Sequence, residues 1–362
     1  MLSSHPPASA VLRHWSVGQP LLGLAINRRG DWVAAATGGG GVVVLPAEDA
    51  GVDPKILRVH EGVSLELIAD ADAHAFLSAG DDGRLFIIDP EIDAPTQIAE
   101  HKGKWIDHVA ASASGGLRAY AIGKTLYRLD PSGCELAPPT ALPSSIGGLA
   151  FSPDGGRLAV SHFGGVSLFD ANSPALPSVV LPWKGSFLNL LWSPGGAFLL
   201  AALQDNAVHG WKVDAPQAEG GHEMQMAGYE SKVRSMAFTA GGKYLATSGA
   251  AQAVCWPFTD GGPWEKKPLL LGGVEGRLVT CASPHPAEGL VAVGFDDGMM
   301  MLAPLDGRME IMILPPLAPR GAGVVGMVWN KEGNSLMTAT EDGTLRLFTL
   351  ASISGFVRGG RG

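Results

Sequence analysis

Leu149-Ala150-Phe151-Ser152-Pro153-Asp154-Gly155-Gly156-Arg157-Leu158-Ala159-Val160 is one copy of a phrase that returns along the whole chain. A second copy reads Leu190-Leu191-Trp192-Ser193-Pro194-Gly195-Gly196-Ala197-Phe198-Leu199-Leu200. In the other copies the Ser152 position is held by Asn27, Asp70, Ser112, Thr239, His285 and Asn330, at intervals of 40 to 46 residues. A fixed period in this range marks a repeat architecture, in which each unit buries its apolar faces only against its neighbours.

The unit around the first copy reads as four short strands. Residues 147–151 form an apolar stretch closed by Ser-Pro-Asp-Gly, and 157–161 follows at once. Gly164-Gly165 turns the chain into 166–169, and 178–181 comes after Asp170-Ala171-Asn172-Ser173-Pro174. Short apolar runs between turn signals read as the strands of a meander. The turns between second and third strands carry Asp81-Asp82-Gly83, Asp205-Asn206, Asp296-Asp297-Gly298 and Glu341-Asp342-Gly343. These residues tolerate the positive φ that tight hairpins need.

Eight units begin near Leu21, Ser64, Ile106, Ile146, Phe187, Val233, Val279 and Val324. The eighth supplies three strands, ending at 345–350. Segment 10–17 (Ala-Val-Leu-Arg-His-Trp-Ser-Val) is expected to add the fourth and fasten the two ends of the chain. The expected fold is therefore all-β, a β-propeller of eight four-stranded blades, with seven blades as the alternative. One domain spans 10–352, between a flexible N-terminus (1–9) and a flexible C-terminal tail (353–362).

Hydrophobic residues make up 46% of the 362 and charged residues 17%, enough for an extensive core. Gly 50 and Pro 26 suit a chain that turns every few residues. The net charge of −9 argues against wrapping nucleic acid, which needs a basic field. Cys134, Cys255 and Cys281 are scattered and show neither a disulfide framework nor zinc spacing. With no basic leader before an apolar run and no stretch of membrane-spanning length, the expected location is the cytoplasm.

The phrase, the Asp-Gly turns and the strand pattern together resemble the WD-repeat β-propeller family over nearly the whole chain. The repeats are degenerate. No Trp-Asp pair occurs, and its place is taken by Ile88-Asp89, Leu129-Asp130, Phe169-Asp170 or Trp211-Lys212. Only His60 lies ten residues before a phrase anchor, where the family places its histidine; His101 lies eleven before. The resemblance implies a non-catalytic scaffold that holds other proteins or peptides on its faces. It also implies that His60, Ser78 and Asp82 form a hydrogen-bond relay inside one blade rather than a hydrolytic triad.

No cofactor, metal set or catalytic constellation is assigned. Asp70-Ala71-Asp72-Ala73-His74 alternates acids with a histidine but falls on a turn, and its expected role is that of a solvated turn. The loops leading into the first strands carry Lys102 and Lys104, Lys184, Lys232, Arg277 and Arg320, accompanied by the aromatic residues Trp105 and Trp183. These, with Asp107 and His108 at the expected channel mouth, form the candidate partner-binding face. A basic arc on an acidic molecule suits docking of an acidic protein or peptide segment, the chain being a monomer by itself or a subunit of a complex. The alternative is a propeller enzyme, lactonase-like or cofactor-dependent, with its site at the channel mouth around Asp107 and His108.

Overall fold

The polar residue of the repeated phrase is buried at all eight copies, and in most it holds the turn that follows. Ser152 Oγ accepts the backbone N–H of Arg157 at 2.9 Å, Ser193 Oγ that of Phe198 at 3.0 Å, and Thr239 Oγ1 that of Tyr244 at 3.0 Å. Asn330 Oδ1 accepts from Ser335 at 3.0 Å, and Asn27 Oδ1 from Gly30, Asp31 and Trp32. A short polar side chain satisfies amides that the hairpin leaves unpaired, which is why these residue types recur there. Gly155 follows for two reasons: its φ is +73°, and a Cβ there would sit 2.6 Å from the carbonyl oxygen of Ser114 in the neighbouring repeat.

The computed structural model describes residues 9–173, 177, 179–213, 223–259, 261–316 and 322–359, with side chains as far as 354. Among them are eight four-stranded antiparallel sheets in chain order, the blades of a β-propeller. Blades 1 to 7 occupy 21–58, 64–100, 108–141, 146–183, 187–226, 236–271 and 279–314. Blade 8 takes its inner three strands from Val324–Trp329, Ser335–Thr340 and Thr344–Thr349, and its outer strand from Arg13–Ser16. The eighth blade and the N-terminal closure are as the repeat predicts.

Middle strands are buried on both faces, as in Phe198–Leu203, where every residue is buried. Outer strands alternate, as in Glu223–Met226, where Met224 and Met226 are buried and the residues between are exposed. Apolar clusters bridge adjacent blades; one joins Leu168 and Leu181 of blade 4 to Leu199 and Trp211 of blade 5. Polar ties reinforce the joints. Trp192 Nε1 donates to the Ala150 carbonyl and Trp329 Nε1 to that of Ser283, both at 3.1 Å. The fully buried Asp70 accepts two bonds from Arg118, at 2.7 and 2.6 Å, across blades 2 and 3.

The turns bearing the phrase define a lower face. The loops entering each first strand, with the turns between second and third strands, define the upper face. In six blades the first strand shifts register by one residue near its upper end, passing over Leu22, Leu65, Gly147, Leu188, Thr280 or Val325. Among the described residues, blades 3 and 6 lack the shift, and their first strands are short, His108–Ala111 and Met236–Phe238.

The closing strand pairs Arg13↔Leu347 through Ser16↔Thr344, and Ala10 N–H reaches the Ile313 carbonyl at 2.8 Å. The chain beyond Thr349 forms a helix, Leu350–Gly359. Ile353 is buried in the same cluster as Ala10, and Ser352 Oγ donates to the Ala10 carbonyl at 2.8 Å, so the helix covers the seam. Within the closing strand Trp15 is buried, whereas Leu12 just before it is half exposed. Trp15→Ala is therefore expected to cost about 3–5 kcal/mol in urea unfolding, and Leu12→Ala less than about 1 kcal/mol. Equal small losses would show that the seam does not depend on this ring.

Candidate docking groove on the upper face

Without the register shift, blade 3 starts late, and the residues before it become rim. Ile106 donates its N–H to Gly80 of blade 2 at 3.2 Å, and the loop 101–105 stands above it. A groove of about 610 Å³ opens there, lined by His101, Lys104, Trp105, Asp107, Gly123 and Tyr127 among others. Trp105 is 62% exposed and is the one largely exposed tryptophan among the described residues. Lys102 and Lys104 beside it are exposed.

The floor is aromatic. Tyr127 stacks on the buried Tyr120, with centroids 4.6 Å apart and planes at 4°. His101 lies 4.8 Å from the Tyr127 ring, and its Nε2 is 2.9 Å from the Tyr120 hydroxyl. Burial pushes the Tyr120 phenol well above its usual range, so it stays neutral. Asp107 Oδ2 accepts the Gly123 N–H at 3.0 Å, which holds the carboxylate at the groove wall. The wall thus offers one acid, one free-standing aromatic and the Lys104 cation over a stacked base, with Lys102 exposed in the same loop.

His108 points instead at blade 2, with Nδ1 3.7 Å from Glu66 Oε2. Glu66 also accepts the Val109 N–H at 2.7 Å. Burial by itself would lower the His108 pKa, but the Glu66 contact and the charges of Glu66 and Asp107 outweigh it, and the pKa is raised. Glu66, His101, Tyr120 and Tyr127 are absent from the sequence-derived site. A carboxylate within the apolar strand Ser64–Ala69 was the one local signal for Glu66.

The remaining candidates fall elsewhere. Lys232 is exposed and lines a second upper groove of about 260 Å³ with Ser231, Arg234, Thr280 and Asp296, between blades 6 and 7. Blade 6 is the other blade without the shift. Arg277 is engaged by Asp297 and the Met299 thioether within blade 7. Lys184 is exposed, while Trp183 is half-buried against His209, with centroids 3.6 Å apart. Arg320 lies outside the described residues. The loop into blade 4, residues 142–145, carries no base, so the expected basic arc is interrupted there.

His60, Ser78 and Asp82 form the relay that the resemblance implies. His60 Nδ1 donates to Asp82 Oδ1 at 3.0 Å, and Ser78 Oγ donates to Nε2 at 2.9 Å. Burial lowers the His60 pKa despite Asp82, so the ring is neutral. Asp82 is held below its usual range: burial would raise it, but the N–H groups of Glu61 and Arg84 and the His60 ring prevail. Ser78 has no exposed surface, so its hydroxyl serves the packing of the blade.

In blade 5 the arrangement is exchanged. Trp183 takes the loop position of His60, and His209 the third-strand position of Phe86, the ring against which His60 packs edge-on in blade 2. His209 is 1% exposed, and neither of its ring nitrogens has a hydrogen-bond partner among the described residues. Burial pushes its pKa down to about 4.

Comparison with protein-family models and with curated proteins finds no match to this chain. The architecture is that of an eight-bladed propeller, compatible with the WD-repeat type.

The two histidines make opposite contributions with pH. The raised pKa of His108 means that its ion pair with Glu66 adds stability below the ordinary value of 6.5, and that this is lost as pH rises through the folded value. The gap in melting temperature between wild type and Glu66→Gln should therefore be wider near pH 6 than at alkaline pH, on top of any constant loss from the Val109 N–H bond; a gap that does not change with pH would exclude this linkage. His209 resists protonation when folded, so stability should fall as pH drops from 6.5 towards about 4. In His209→Phe that slope should flatten, and an unchanged slope would assign it to another group.

Proposed function

We propose that this chain is a WD-repeat-type interaction scaffold without catalytic activity, docking an acidic protein or peptide segment at the upper groove of blade 3. The observation that carries the reading is Trp105, 62% exposed at the edge of a groove with an aromatic floor. An exposed tryptophan beside a cavity is the type of anchor that dominates protein interfaces. Lys102 and Lys104 supply positive charge on a molecule of net charge −9, favouring acidic partners at this one place. The cysteines Cys134, Cys255 and Cys281 are unpaired, and burial pushes Cys255 to about 12 and Cys281 to about 11, which supports an inert role for those two in a reducing compartment such as the cytoplasm.

No helix among the described residues is long and apolar enough to cross a membrane. The Ser78 hydroxyl is enclosed, which supports a scaffold over a hydrolase built on the relay.

Quantitative affinity capture with wild type, Trp105→Ala and Lys104→Glu tests this reading. Partners of the groove should be lost from both variants at unchanged melting temperature. For an isolated partner peptide, Trp105→Ala should weaken binding by about 30-fold, as for a central interface anchor. Equal capture by all three proteins would reject the groove.

A further inference from the structure

The lower face of blade 2 carries a cluster that the docking groove does not use. His74 stands in the turn between the first and second strands, and Asp89 and Glu91 follow the third strand, Arg84–Ile88. His74 Nε2 lies 3.5 Å from Asp89 Oδ1 and 3.6 Å from Glu91 Oε2. One donor atom from each of the three lies within 4.8 Å of the others. These separations are too long for good hydrogen bonds. They suit two ligands of a common ion: with bonds of about 2.1 Å to nitrogen and about 2.2 Å to oxygen, the gaps subtend angles of about 109–114°, near tetrahedral.

A second observation is independent of the acids. Both ring nitrogens of His74 are shut off from solvent, and neither has a hydrogen-bond partner among the described residues. Leaving a buried polar atom unused is costly, and an ion on Nε2 removes that cost for one of them. The backbone around the cluster is already held. The His74 N–H donates to Asp72 Oδ1 at 3.0 Å, and its carbonyl accepts from Asn27 Nδ2 at 3.0 Å. Asp89 Oδ1 accepts the Glu91 N–H at 2.9 Å, which orients that carboxylate and leaves it a free lone pair. Asp70, four residues before His74, is not a member, because Arg118 engages both of its oxygens.

We propose that His74, Asp89 and Glu91 bind one divalent transition-metal ion of the Zn²⁺ class. One imidazole with two carboxylates suits Zn²⁺ better than Mg²⁺ or Ca²⁺, which prefer all-oxygen shells. Glu91 is largely exposed, so the ion enters from solvent and keeps a position open to water. Bound there, it staples the phrase turn of blade 2 to the loop that leaves its third strand. The acid-histidine turn thus acts as half of a site whose other half is donated by the next hairpin.

The full chain, stripped with EDTA and dialysed, would be titrated calorimetrically with ZnCl₂ and separately with MgCl₂. One equivalent of Zn²⁺ should bind and raise the melting temperature, while Mg²⁺ should do neither. Zn²⁺ affinity should fall by about 10-fold or more in Glu91→Gln and be lost in His74→Gln. No Zn²⁺ binding, non-saturating binding, or equal binding by wild type and His74→Gln would overturn the site. Glu91 is a surface residue, so full-strength Zn²⁺ binding by Glu91→Gln would also overturn it, even where His74→Gln folds poorly.

Discussion

A four-stranded meander of this composition has two apolar faces and cannot cover either by itself. Residues such as Ala34, Ala35, Val43 and Val44 lie side by side in blade 1 and are all buried, yet they belong to two different clusters. One cluster reaches back to blade 8 through Met337 and Leu345, the other forward to blade 2 through Phe76 and Ile88. Each blade is therefore solvent for its neighbours, and the array is satisfied only when it closes. Arg13–Ser16 performs that closure by pairing with Thr344–Thr349, and the C-terminal helix packs over the join. The whole ring depends on a strand drawn from the opposite end of the chain.

Inside this frame the packing beneath the entering loops differs from blade to blade. Blade 2 keeps histidine, serine and aspartate. Blade 6 replaces them with Tyr229, whose hydroxyl joins Thr247 and Trp256 at 2.8 Å each. Blade 8 uses Arg346, Thr340 and Asp342, and blade 5 stacks Trp183 on His209. The shared requirement is that the space beneath each entering loop be filled, with polar atoms satisfied where the filler is polar. In blade 5 the stacked Trp183 ring covers His209, whose nitrogens have no hydrogen-bond partner among the described residues.

The upper grooves accompany a local difference between blades. In six blades the first strand shifts register near its top. Blades 3 and 6 make no such shift, and the two upper-face grooves described above lie beside them. The first is backed by the Tyr120–Tyr127 stack, which holds its floor rigid beneath the exposed Trp105. A rigid aromatic base under an exposed edge is a sound platform for a partner, because little is lost in ordering it on binding.

Much of this was open to inference from residues in order. The period of the phrase, the turn residues and the strand-like segment 10–17 were enough for eight blades and the closing strand, because turn chemistry and strand alternation act over a few residues. The exposed loop residues Lys102, Lys104 and Trp105 were identifiable for the same reason. Other features required the fold. Arg277 looked like a free charge until the hairpin brought Asp297 across to hold it. Glu66 and His108 meet because two inner strands stand side by side, and Tyr120 meets Tyr127 through the pairing of the second and third strands, with the His101 ring of the entering loop against both. His74 acquires Asp89 and Glu91 only when the turn and the end of the third strand are folded to the same edge. Local sequence dictates where the chain turns. Which side chains then face one another is decided by strand pairing within a blade and by the stacking of neighbouring blades, over separations that local turn chemistry does not reach.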